Sequence, residues 1–205
     1  VCVENTSNRG GGACYPQRTL DEIAAVAKAN NCAIHMDGAR VFNAAVATKT
    51  PLDRMVRDYD SISICLSKGL GAPIGSVLVG SASFIAQAHR WRKMFGGGMR
   101  QAGMIAAAGL HALDHHVERM AEDHERAIRM ANAINAIEGF SVDLDTVETN
   151  MVYFDSIQPA SQIMDLLSDR SIDVLDIGPN SCRIVVHLHV TDEDVDQVIA
   201  AFNQL

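Results

Sequence analysis

The 205 residues are 48% apolar and 20% charged, the composition of a folded globular protein and not of a disordered one. A formal charge of −8 with no basic stripe disfavours nucleic acid and anionic membrane as partners, and no apolar run reaches the ~18 residues that a membrane span needs. Five cysteines stand singly, with no C-x-x-C pair, which favours a reducing, cytoplasmic location over a disulfide framework.

In chain order, "VCVEN" reads as a strand from the first residue, and because a strand needs neighbours an upstream segment is expected. "NTSNRGGGACYPQ" is a loop rich in Gly, Asn and Ser. Thr19 is predicted to cap the helix "LDEIAAVAKANN", with Glu22 completing a capping box. "CAIHM" is a strand that ends on Asp37; "VFNAAVA" and "PLDRMVRDYD" read as helices; "SISICLS" is a strand that ends on Lys68. A glycine-rich turn leads to the strand "GSVLVG", and this alternation points to an α/β layer with a mostly parallel sheet. A helix is expected from about Met104 to Ile137, with Gly109 a weak spot and Gly139 at its C′ position. Beyond it, "TNMVYFD", "SIDVLDI" and "CRIVVHLHV" read as strands, "ASQIMDLLSDR" as a helix, and "TDEDVDQVIAAFNQL" as a helix capped by Thr191. Two domains are therefore expected: 1–117, a partial large domain, and 118–205, a small α+β domain that includes the linking helix.

Asp37 and Lys68 are the residues with the most chemistry to offer. In open α/β sheets ligands bind at the carboxyl ends of strands, and two separate strands deliver an acid and a lysine there. A lysine in a partly apolar site loses its proton readily and becomes able to form a Schiff base, while an acid nearby holds a pyridinium nitrogen protonated. A structural Asp–Lys ion pair at the sheet edge is the alternative on these residues alone. Gly69, Gly71 and Gly75 permit positive φ and a close backbone approach, but they form neither a Walker A nor a Rossmann pattern. His111 and His115 stand i, i+4 with Asp114 and His116 beside them, a zinc-site spacing without H-E-x-x-H or a cysteine, so a polar helix face and no metal are expected. His187 and His189 share one face of the Arg183 strand, either lining a site or buried as core histidines.

"HMDGARVFNA", "SISICLSKGLGAPIGSVLVG" and "RWRKMFGGGMRQAG", with the opening "ENT" and the late "CRIVVHL", closely resemble the L-threonine aldolase family (the low-specificity and L-allo enzymes), fold type I pyridoxal phosphate (PLP) enzymes within the beta-eliminating lyase group. The resemblance spans essentially the whole chain and is densest from Glu4 to Gly103. It implies the C-terminal part of a fold type I large domain plus a small α+β domain, and cleavage of L-threonine or L-allo-threonine to glycine and acetaldehyde. By resemblance, Lys68 forms the Schiff base with PLP and Asp37 pairs with the pyridine nitrogen. Arg40 lies at the cofactor and the substrate carboxylate, and Arg183 is a second carboxylate-binding arginine, a task for which a planar guanidinium suits. Ser67 is either a hydrogen-bond donor to the cofactor phosphate or a plain strand-end serine; Arg100 resembles the position that reaches the cofactor phosphate of a neighbouring subunit, and Lys93 resembles a second active-site lysine. A homo-oligomer, dimer or tetramer, follows from that shared phosphate contact.

Two departures from the family pattern stand out. Ser7 follows Thr6 where family members often carry histidine, and the family's N-terminal third or more, with its phosphate-binding turn and its ring-stacking histidine, has no counterpart here. The chain is thus expected to be a C-terminal portion, whose N-terminal part is a possible separate chain. The rival expectations are another fold type I PLP lyase or aminotransferase acting on a β-substituted amino acid, and a catalytically silent fragment.

Overall fold

The computed structural model describes residues 1–205, which divide into two units: residues 1–6 with 14–118, and residues 7–13 with 119–205. The glycine-rich loop 7–13 therefore packs with the C-terminal half of the chain, which sequence order alone does not suggest.

In the first unit, strands β1 (Cys2–Glu4), β2 (His35–Asp37), β3 (Ser61–Cys65) and β4 (Ser76–Gly80) form one sheet in that order. The first two pairings are parallel and β3–β4 is antiparallel, as a short turn between them requires. Helix α1 (Gln17–Ala29) links β1 to β2, and α2 (Val41–Thr48) with α3 (Leu52–Val56) links β2 to β3. Their apolar faces close a core of Leu20, Met36, Val41, Met55 and Ile62 against the sheet. Thr19 does not cap α1. Pro16 precedes the first turn and accepts from the Thr19 N–H at 2.9 Å, because its fixed φ starts the helix three residues early. Edge strand β4 is exposed along its whole length, and α4 (Ala82–Met94), capped by Ser81, buries no residue.

The long helix expected from Met104 is two helices, α5 (Gly103–His115) and α6 (Met120–Asn135). The chain turns at His116, whose Nδ1 lies 2.7 Å from the carbonyl oxygen of Leu70. Gly139 does have the positive φ expected of it, 91°, but α6 already ends at the Ala136 cap.

The second unit is an antiparallel sheet ordered β5 (Phe140–Ser141), β6 (Met151–Ser156), β8 (Ser181–Val185), β7 (Leu175–Asp176), with α6, α7 (Ala160–Ser168) and α8 (Asp192–Phe202). Phe202 meets Phe140 and Phe154 edge-on and those two rings are tilted to each other, with centroids 5.2–6.0 Å apart; Phe154 and Phe202 are buried in the core and Phe140 packs against it. Thr191 caps α8 as expected, in a full capping box with Asp194. The Arg183 strand ends at Val185, so His187 and His189 lie beyond it, exposed, and are not core histidines.

Beside this core sits a titratable group. His124 of α6 is only 6% exposed, and burial pushes its imidazole down to about 4 against the opposing pull of Asp123. The unfolded chain takes up this proton near pH 6.5, so stability is complete above that pH and falls away toward pH 4, by about 3 kcal/mol. Urea midpoints measured across that window are expected to drop less for His124→Gln than for the parent. Equal drops would assign the acid sensitivity to other groups.

Candidate active site

The turn that carries Lys68 is built by the backbone. Leu66 N–H donates to Gly75 O at 2.9 Å and Leu66 O accepts from Ala72 N–H at 3.0 Å, which pinches the loop shut at its base. Inside it, Gly71 N–H reaches Lys68 O at 2.8 Å in a tight turn, and Gly71 takes φ 71°, where a side chain is disfavoured. Leu66, Leu70 and Ala72 point into the core and anchor the loop, whereas Ser67 and Lys68 are exposed. Lys68 is thus not a buried ammonium at the end of a buried strand: the apolar run stops at Leu66 and the lysine stands clear of it.

Asp37 ends β2, the parallel neighbour of β3, and pairs in register with Ser63. Gly38 makes this junction possible. Its N–H donates to Ser63 O at 2.8 Å, and a Cβ there would stand 3.0 Å from side-chain carbons of Ile62 and Val41. One Asp37 oxygen accepts from Ala39 N–H at 3.1 Å and the side chain is otherwise exposed. Asp37 and Lys68 form no ion pair with each other, which removes the purely structural alternative for these two residues. An acid and an amine leave the same edge of one parallel pair. Arg40 follows at the N-cap of α2, half-buried.

Lys93 and Arg100 come together on a depression of about 430 Å³ at the end of α4, which His89, Arg90 and Arg92 also line. Gly98 sits against the Lys93 stem, so close that a Cβ would fall 2.7 Å from Cδ. The His111 ring packs at a tilt against His115 and meets His116 edge-on, at 4.5 and 5.3 Å between centroids.

Arg183 belongs to the second unit. It lies on β8 between Tyr153 of β6 and Leu175 of β7 and lines a groove of about 540 Å³. Its Nη1 donates to Asn8 Oδ1 at 2.5 Å, and its Nε is enclosed with no acceptor. Sequence reading missed Asn8 and Tyr153. The available signal was the alternation of buried Cys182, Ile184 and Val186 with half-buried Ser181, Arg183 and Val185, which puts Arg183 on the face opposite the core.

Residues 1–157 match the sequence model of one family, described as beta-eliminating lyase. The chain belongs to the beta-eliminating lyase family. Within this lyase group it is similar to low-specificity L-threonine aldolase 1 of Arabidopsis thaliana, 39% identical over all of this chain and 58% of that protein. It is also similar to the low specificity L-threonine aldolase of Escherichia coli K12, 40% identical over 98% of this chain and 58% of that protein. The lyase chain thus spans less than two thirds of the length of these relatives. A threonine aldolase of Leishmania major superposes with a TM-score of 0.83 over all of this chain and 60% of that one; at 18% identity the likeness speaks for the fold. The resemblance to threonine aldolases and the α/β fold expected from the sequence are both borne out.

Proposed function

We propose that the protein works as a PLP-dependent aldolase that cleaves L-threonine or L-allo-threonine to glycine and acetaldehyde. The observation that carries this is the pair Lys68 and Asp37, exposed and not bonded to each other, at the carboxyl edge of adjacent parallel strands in a chain about 40% identical to low-specificity L-threonine aldolases. PLP fits these residues: the only unprotected amine of the β3 turn and the carboxylate ending β2 are the two groups that this cofactor requires, and Gly71 and Gly75 keep side chains off the turn between them. Bound there, the cofactor supplies an electron sink for the bond broken at the amino acid's Cα.

Lys68 would hold the cofactor through its amine, Asp37 its ring nitrogen, and Ser67 and Arg100 its phosphate. Arg40 and Arg183 would clamp the substrate carboxylate, and Lys93 would stand at the substrate. A homo-oligomer agrees with the exposed apolar side chains of β4 and α4, among them Val77, Leu78, Trp91 and Met94. Five unpaired cysteines support a cytoplasmic setting.

Product analysis tests the reaction. With L-threonine, the PLP-loaded enzyme is expected to release acetaldehyde and glycine in equal amounts. Ammonia and a keto acid instead would make it an eliminating enzyme and retire the aldolase assignment.

A further inference from the structure

We propose that Asn8 and Tyr153 are positioning residues for Arg183, and that together they decide which edge of its guanidinium a carboxylate meets. The inference rests on the assignment of Arg183 to the substrate carboxylate. An arginine can grip a carboxylate through its end, Nη1 with Nη2, or through its side, Nε with Nη2. Asn8 Oδ1 already takes one of the two Nη1 protons at 2.5 Å and crowds that end, which leaves the Nε–Nη2 side as the unencumbered edge. Nε has no acceptor in the protein although it is enclosed, and an oxygen that arrives along the Nε–Nη2 side gives it one. The groove of about 540 Å³ beside it, lined by Arg9, Tyr153 and Asp176 as well, is roomy enough to admit a small amino acid.

Asn8 can act this way because it is itself held. Tyr153 stands directly opposite Arg183 across the β6–β8 ladder, and its Oη donates to the Asn8 carbonyl at 2.5 Å. Further along the loop, Thr149 Oγ1 donates to Gly12 O at 2.8 Å and Gly12 N–H to Ser7 O at 2.9 Å. Gly12 takes φ 81°, and a Cβ there would lie 2.6 Å from Thr149 Oγ1. The loop is pinned at both ends, with Asn8 between the pins and the guanidinium. One hydrogen bond then fixes the plane of a long, otherwise rotatable side chain, which lowers the ordering cost of gripping a carboxylate.

The test compares Asn8→Ala, Tyr153→Phe and Arg183→Gln in the PLP-loaded enzyme. It reads KM and kcat for L-threonine and, without turnover, calorimetric Kd values for glycine and for glycinamide, which lacks the carboxylate. Asn8→Ala is expected to raise KM and the glycine Kd about tenfold, with kcat and the glycinamide Kd within about twofold. Tyr153→Phe, which keeps the ring and its packing, is expected to move the same two constants by about threefold. If Arg183→Gln raises both constants while Asn8→Ala leaves them unchanged, the positioning role is wrong and the carboxylate assignment stands. If Arg183→Gln changes neither, the carboxylate assignment itself falls. Equal losses of glycine and glycinamide affinity would mean a structural role for the loop and would also overturn the inference.

Discussion

Under the proposed aldolase function, threonine cleavage by the Lys68→Ala variant is expected to fall at least ~10³-fold, the scale on which a group acting directly at the reacting atoms contributes. The variant isolates chemistry from folding because the side chain supports nothing. The loop is closed by the backbone bonds of Leu66, Gly71 and Ala72, and it is anchored by buried Leu66 and Leu70. Lys68 itself is exposed and makes no ion pair, so alanine leaves each of those contacts in place. Thermal unfolding should therefore match the parent while turnover is lost. Borohydride treatment of the PLP-loaded parent, followed by peptide mapping, should place a phosphopyridoxyl group on Lys68. Turnover within tenfold of the parent, with the label on Lys93 or another lysine, would sink the assignment.

The two residues on which this rests were legible in the sequence because strands in an α/β sheet announce their ends. A short apolar run followed by Asp-Gly or by Lys-Gly marks both the edge and the group it carries. The structure corrects the environment and keeps the placement: Lys68 lies beyond the last buried residue, Leu66, and stands exposed rather than desolvated. Local signals failed where a competing constraint sat a few residues away. Thr19 is a good cap by type, yet Pro16 with its fixed φ starts α1 first. The break between α5 and α6 follows from no local propensity; His116 is held at Leu70, 46 positions earlier.

The partners of Arg183 were beyond sequence reading for a related reason. Asn8 lies 175 positions from Arg183, in a loop that reads as belonging to the first strand and packs with the last ones. Periodicity along β8 gives the face on which Arg183 stands, but only the folded chain shows what else reaches that face. A pattern can locate a charged group on an element; it cannot say which long-range contact orients it.

Replacing Asp123 by alanine is expected to destabilise the protein by about 3–5 kcal/mol, toward the lower end. On α6 the buried positions are Met120, Asp123, His124, Ala127, Met130, Ala131 and Ile134, one stripe at helical spacing facing the core. Asp123 is therefore a carboxylate at a core position, with no exposed surface. It is tolerated because Arg119, one turn earlier, meets both of its oxygens, Nη1 on Oδ2 at 3.1 Å and Nη2 on Oδ1. Removing the acid leaves a guanidinium whose side chain is 15% exposed without its acceptor. That residual exposure lets Arg119 recover some hydration, which is why the lower end of the range applies. The pair is not itself a strong source of stability, since desolvating two charges offsets most of their attraction. Joint replacement by Arg119→Met and Asp123→Leu should accordingly cost less than Asp123→Ala alone. Urea unfolding of the parent, the single variant and the double variant measures this ordering. A single variant within about 1 kcal/mol of the parent would show that Arg119 escapes to water. A double variant less stable than the single would show that the pair is worth more than its desolvation.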